Sequence, residues 1–418
     1  MSESSSVAES ASPDLANTDT NVLNSSSFWQ KPENLLLSMT FIMSFLFATW
    51  QVLLNNFVVE RAQFTGVEIG ILQSLREVPG FLAFTAVFVL LILREQYFAL
   101  LAIALMALGV AATGFFPFAI GLYLTTVVMS IGFHYFETIN KSLTLQWLPK
   151  SKTPHFMGRA LAIKAIASLS AYALIFIAMD MFGVDYKWMY LLAGAGGLIL
   201  VAILALRFRD FGHQVEQNKT LFLRKRYWLY YGLVFLSGAR RQIFTVFAGF
   251  MMVEKFGYSV GEISALFIIN YVFNFMFASR IGKFIGFIGE RRALIIEYIA
   301  LILVFTSYAF VSNSHIAAGL YVIDHLFFAF AIAISTYFQK IADPKDMAGT
   351  ASVSFTINHI AAVVIPALLG MVWIYSQSAV FLVGVVFAVC SLVLSFNIPQ
   401  APAAGNEVIL GFRGSSSN

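Results

Sequence analysis

With 418 residues, 59% hydrophobic and 11% charged, and a mean hydropathy of +0.80, the chain has too little charge to cover a water-facing surface. Soluble domains hold about 25% charged residues, so a globular protein in water is excluded. The net charge of +4 is no argument for a nucleic-acid partner, because basic residues in such a chain mainly set topology. The one cysteine, Cys390, excludes an intramolecular disulfide.

In chain order, residues 1–33 are rich in Ser, Asn and acidic side chains and are expected to form a disordered tail. They lack the basic start and apolar core of a cleaved signal peptide. Twelve apolar spans follow, predicted at 35–58, 67–93, 97–116, 118–147, 157–181, 188–206, 227–253, 259–280, 292–311, 316–339, 348–375 and 378–397. The lipid bilayer is therefore the expected surroundings. After Pro399 the chain turns to Ala, Pro, Gly and Ser and reads as a second unstructured tail, 399–418.

Lysine and arginine fix an orientation. With the N-terminus inside, eighteen fall on the cytoplasmic face and three (Arg61, Lys187, Lys255) on the other, while five lie within spans. This positive-inside bias places both termini in the cytoplasm, most simply at a plasma or inner membrane. The longest loop, 207–226, separates a six-span half at 34–206 from another at 227–398. The halves repeat: Val59-Glu60-Arg61-Ala62-Gln63-Phe64-Thr65-Gly66-Val67-Glu68-Ile69 aligns with Val253-Glu254-Lys255-Phe256-Gly257-Tyr258-Ser259-Val260-Gly261-Glu262-Ile263 at a constant offset. Parallel six-span repeats are one way in which transporters with a midplane site are built.

Polar residues are unevenly spread. Spans three, six and twelve carry no charge, and span nine has only Arg292 and Glu297, near its cytoplasmic start. Mid-span charge is confined to Arg76 and Glu77, Glu137 and Lys141, Lys164, Arg240 and Arg241, and Asp324, with Gln51, Asn55, Asn56, Asn270, Asn274, Asn358 and His359 adding polarity. Groups this costly in lipid face a bundle interior or a wet cavity, while every third helix is left for the periphery.

Twelve spans, two halves, a basic central loop and apolar third helices resemble the major facilitator superfamily. Gly282-Lys283-Phe284-Ile285-Gly286-Phe287-Ile288-Gly289-Glu290-Arg291-Arg292 resembles that superfamily's loop motif, although Gly286 and Phe287 stand where the family has Asp and Arg. The copy after span two is reduced to Leu93-Arg94-Glu95-Gln96. The resemblance implies an all-α polytopic fold and secondary transport.

Arg240 and Arg241, mid-span in the seventh segment, are the leading candidates. Adjacent guanidiniums at that depth favour a solute with an anionic group. Arg76, Gln51 and Asn270 join them as candidate substrate ligands, with helix-to-helix hydrogen bonding as the competing role of Asn270. Arg76 and Glu77 precede Pro79-Gly80, which is expected to interrupt span two, and an ion pair at the kink is their alternative. Glu137, Asp324 and Glu77 are the candidate proton carriers. Glu137 stands at i,i+4 to Lys141, a favourable pair, and Asp324 is expected to find Arg240 or Arg241. His134 and Glu137 share a face without a third ligand in register, so no metal is expected, nor any cofactor.

The expected function is secondary active transport of a small, anionic solute by alternating access, with protons or another coupling ion. Two other classes stay open: a membrane-embedded transferase and a non-transporting sensor or scaffold. Against an enzyme, the sequence holds no phosphate-binding glycine loop, HExxH or serine elbow.

Overall fold

A computed structural model describes residues 28–90, 92–148, 153–211, 223–343 and 347–411. Most of the N-terminal tail, residues 212–222 of the central linker and the last seven residues lie outside it. Twelve transmembrane helices are present: α1 (Pro32–Glu60), α2 (66–90), α3 (Glu95–Thr113), α4 (Ala119–Trp147), α5 (153–181) and α6 (Tyr186–Arg207) form one half. The second half holds α7 (228–254), α8 (Val260–Ile288), α9 (Glu290–Phe310), α10 (314–341), α11 (Met347–Tyr375) and α12 (Gln377–Phe396). Among the described residues, nine of these are long and apolar enough to cross a bilayer, and α2, α7 and α8 complete the set.

The sequence repeat has a structural cause. In both halves the first helix ends on a backbone hydrogen bond, Arg61 N–H to the Phe57 carbonyl and Lys255 N–H to the Met251 carbonyl. Each chain then passes through one left-handed residue, Gln63 at φ 53° and Gly257 at φ 68°. The next helix opens with a capping box, Thr65 with Glu68 and Ser259 with Glu262. Capping satisfies the orphan amides that begin a helix. The identical glutamates and the Thr/Ser match therefore sit where helix initiation needs them.

Three spans are irregular near the middle. α2 runs as a helix from Gly66 to Phe81, through Pro79, and breaks at Leu82 into a 3₁₀ turn. The break thus comes two to three residues after the Pro-Gly pair that the sequence offers as the interruption. α7 is α-helical over Trp228–Gln242, then widens to a π turn over Ile243–Ala248 directly after the arginine pair. α10 tightens to 3₁₀ at Phe328–Phe330. Such departures from α geometry concentrate at functional sites.

α3 packs on α4 and α6, and α9 on α12. Their outward faces present Leu101, Leu108, Leu192, Leu303 and Val393. The halves meet along α2–α11 and α5–α8. At Gly70 an added methyl would run into the Pro366 carbonyl, and Ser74 Oγ accepts a 3.0 Å hydrogen bond from Ala367 N–H. Asn56 Nδ2 reaches the Tyr258 carbonyl at 2.6 Å, and Tyr271 OH donates to Ser168 Oγ at 3.2 Å. Beyond Phe81, span two packs instead on α3 and α4. The bundle is thus drawn together at the end that carries the α1–α2 and α7–α8 loops.

The segment after α12 is more ordered than its composition predicts. Asn397 accepts from Leu410 N–H at 2.7 Å, Tyr337 OH donates to the Glu407 carbonyl at 2.6 Å, and Glu407 and Val408 are fully buried. An alanine- and proline-rich tail can pack when side chains from the bundle supply its hydrogen-bond partners.

Candidate functional site

The two adjacent arginines of α7 diverge. Arg240 is buried against the second half, its guanidinium 4.5 Å above the Tyr298 ring and its Nη2 3.9 Å from Glu297 Oε1. Arg241 is exposed, and among the described residues its side chain makes no hydrogen bond or ion pair. A rotation of about 100° per residue separates the two side chains, which is why one neutralises a helix neighbour and the other stays free.

Both line a cavity of about 210 Å³ walled by α7, α9, α10 and α11. Its polar lining is Ser237, Arg240, Arg241, Glu297, Asp324 and Asn358, and its apolar lining includes Leu301, Phe305, Phe327 and Phe328. Gly238 lets α11 approach, since a methyl there would sit 2.6 Å from Asn358 Oδ1. Asp324 is 1% exposed and has no ion pair within 4.0 Å among the described residues, so Glu297 takes the place nearest Arg240 that the sequence reading offers to Asp324. Asp324 remains within electrostatic reach of both Arg240 and Glu297. Its neighbour His325 turns away, its ring against Phe244 and Phe328.

A second cluster lies across from Arg241. Arg76 and Glu77 form a close ion pair on α2, and Arg76 Nε donates to Gln73 Oε1 at 2.7 Å. His359 of α11 stands 3.7 Å from Glu77 Oε2, with the His134 ring 5.3 Å away. Gly80 makes room for both imidazoles, because a methyl there would overlap the His359 ring. Ligand atoms of Glu77, His134 and His359 all lie within 4.8 Å of one another. Of the two candidates on α4 only His134 takes part, Glu77 of α2 and His359 of α11 supply the other two positions, and Glu137 is not among them. One carboxylate faces Arg76 and Arg241 at the same time, so the surroundings carry more positive than negative charge and suit an anion better than a divalent cation.

Of the other expected residues, Glu137 stands apart. It pairs with Lys164 of α5 at 3.3 Å, both about 40% exposed, while Lys141, the partner expected from spacing, is exposed and unpaired with it. Gln51 is half-buried, and Asn270 is buried with Oδ1 unpartnered among the described residues; neither lines the Arg241 cavity. In the sequence Glu297 reads as a residue near a span end, and nothing there connects His134 with His359, which come from different halves.

The sequence matches the family model described as Major Facilitator Superfamily over residues 35–366. The fold is similar to the nucleoside transporter NupG, with a TM-score of 0.67 at 18% identity, covering 87% of this chain and 97% of that one. It is similar also to a bacterial homolog of the human lysosomal transporter Spinster in an inward-facing, occupied conformation (TM-score 0.67, 16% identity, 89% and 97% coverage). A POT family transporter in complex with 5-aminolevulinic acid aligns with a TM-score of 0.67 at 13% identity, covering 87% and 94%. No curated protein matches the sequence. A family match over most of the chain, on twelve helices in two halves, identifies this multi-pass membrane protein as a secondary transporter, not an enzyme, and a member of the Major Facilitator Superfamily.

Proposed function

We propose that the protein carries a small solute with an anionic group, held by Arg241 in the cavity of the second half. The observation that carries this reading is the free guanidinium. Arg240 has Glu297, and Arg76 has Glu77, whereas Arg241 is exposed beside a cavity and lacks an ion-pair partner among the described residues. A guanidinium matches a carboxylate or phosphate with two parallel hydrogen bonds. Arg76 faces the same region from the other half, so an anion seated between α2 and α7 would draw the halves together. Alternating access then consists of the halves rocking about that site.

Proton coupling is the second part of the proposal. Glu77 and Asp324 are buried carboxylates, Glu77 facing Arg241 and Asp324 lining the same cavity as Arg241, and protonation of either changes the charge the solute meets. Glu137 is the third candidate carrier, at its exposed pair with Lys164. We place both termini on the cytoplasmic side of a plasma or inner membrane, on the strength of the basic bias among the loops.

The test is counterflow into proteoliposomes with labelled organic anions, amino acids and sugars. Arg241→Gln should abolish exchange of whichever solute the wild type carries; full exchange by this variant removes the proposal. For coupling, Glu77→Gln, Asp324→Asn and Glu137→Gln are assayed for accumulation driven by a pH gradient. Unchanged accumulation in all three dismisses protons as the driving ion.

A further inference from the structure

We infer that the solute is a zwitterion with an apolar body, its anionic group on Arg241 and an ammonium on the wall formed by Glu297 and Asp324. This rests on the anion reading of Arg241 and extends it to the opposite wall of the same cavity.

That wall is short of positive charge. Among the described residues, Arg240 is the one cation facing Glu297 and Asp324, so one guanidinium stands against two carboxylates. Glu297 Oε2 and Asp324 Oδ2 are both buried and lack a hydrogen-bond partner among the described residues, as does Arg240 Nη1, so two unpaired acceptors stand against one unpaired donor group. Tyr308 and Tyr321 also face Asp324, but as neutral phenols they bring no charge. Unpaired buried carboxylate oxygens are costly, and a donor cation of the ligand is the group that satisfies them. The ligand's three N–H bonds can serve two acceptors at once.

Arg241, one residue along α7, is short of negative charge, and the two deficits border one space. A simple anion answers only the arginine and leaves the acidic wall with its excess. An amine answers only the acids. A molecule with both groups a few bonds apart answers the whole site. Between the charged walls lie Leu301, Phe305, Phe327 and Phe328, which fit an aliphatic or aromatic body. The chemical class is an amino acid or amino-acid-like zwitterion with a hydrophobic side chain.

A proton on the acidic wall is the competing way to cancel the excess, and matched ligands separate the two. Affinities for the purified full-length protein are measured by calorimetry for leucine and phenylalanine, for their deamino acids 4-methylpentanoate and 3-phenylpropanoate, and for phenethylamine. At least one amino acid is expected to bind about tenfold or more tightly than its deamino acid. Glu297→Gln and Asp324→Asn should shrink that ratio, and Arg241→Gln should weaken both members of the pair. Thermal melting confirms that each variant is folded; two acidic-wall variants are used so that one survives if the other does not fold. Deamino acids that bind as tightly as the amino acids, and depend on Arg241, overturn the zwitterion while leaving the anion reading intact. Binding indifferent to Arg241→Gln, or binding of the amine alone, overturns both. An absence of amino-acid binding by the folded wild type overturns the inference.

Discussion

His359 Nε2 on α11 lies 3.7 Å from Glu77 Oε2 on α2, a contact that joins the two halves through a carboxylate already engaged by Arg76. Glu77 is therefore the shared counter-charge of the junction. Side chains of Arg76 and Glu77 are 12% and 8% exposed, so removing one leaves the other desolvated without its closest counter-charge. Glu77→Gln is expected to cost about 3 kcal/mol, as for other broken buried pairs. The double variant Arg76→Gln/Glu77→Gln should recover much of that loss. Melting of the two variants and the wild type in detergent checks this; a double variant less stable than Glu77→Gln would show that the arginine is held by other means.

Arg240 and Arg241 should separate in the same assay. Arg240 is 3% exposed, faces two buried carboxylates and covers the Tyr298 ring. Arg240→Gln leaves both acids uncompensated and is expected to lower stability by about 3 kcal/mol or more. Arg241→Gln removes an exposed side chain without an ion pair and should stay within about 0.5 kcal/mol of wild type. Equal losses in the two variants would contradict the division of roles.

The connection after α1 offers a stabilising change. Gln63 adopts φ 53° where the equivalent Gly257 adopts φ 68°. A left-handed non-glycine residue costs about 1–2 kcal/mol, offset on substitution by the extra freedom glycine gives the unfolded chain. Gln63→Gly should therefore raise stability by roughly 0.5 kcal/mol, and Gly257→Gln should lower it. The pair of melts tests the sign, and a destabilised Gln63→Gly would mean that the glutamine side chain contributes contacts of its own.

The fold is legible because a bilayer forces long apolar helices, and each of the twelve predicted spans corresponds to one observed helix. The α1–α2 and α7–α8 repeat is legible because capping chemistry is local: Thr65, Glu68, Ser259 and Glu262 act within a few residues of one another. The candidate site is legible only in part. Arg76, Glu77, Arg240, Arg241 and Asp324 announce themselves by the cost of charge in lipid. Their pairing depends on helix rotation and on which halves meet, and no spacing along one helix encodes either. Glu297 thus reads as a span-end residue although it neutralises Arg240, and Glu137 matches Lys141 within α4 although it pairs with Lys164 across to α5. The segment after Pro399 misleads for a related reason. The hydrogen bonds that tie it to the bundle include those of Asn397 and Tyr337, which composition alone does not bring near.

The close approach of the halves rests on backbone, and this makes it testable. A methyl on Gly70 would meet the Pro366 carbonyl and come within 3.1 Å of Gly370 Cα; one on Gly370 would meet the Gly66 carbonyl and come within 3.3 Å of Gly70 Cα. Neither obstacle is a side chain that can rotate aside. Gly70→Val must therefore part α2 from α11 at the end that carries the α1–α2 loop, and a clash worth a few kcal/mol is enough to invert a two-state population. The reporter is a cysteine at Ser237, which lines the cavity, in a Cys390→Ala background. A membrane-impermeant maleimide applied from the α1–α2 loop side should label Ser237→Cys slowly in the parent and rapidly with Gly70→Val, while solute exchange falls because the closed arrangement is lost. Unchanged labelling in a folded Gly70→Val protein would mean that the glycine contact does not hold this face shut, and that the gate must be sought at the α5–α8 contact between Asp180 and Gly261.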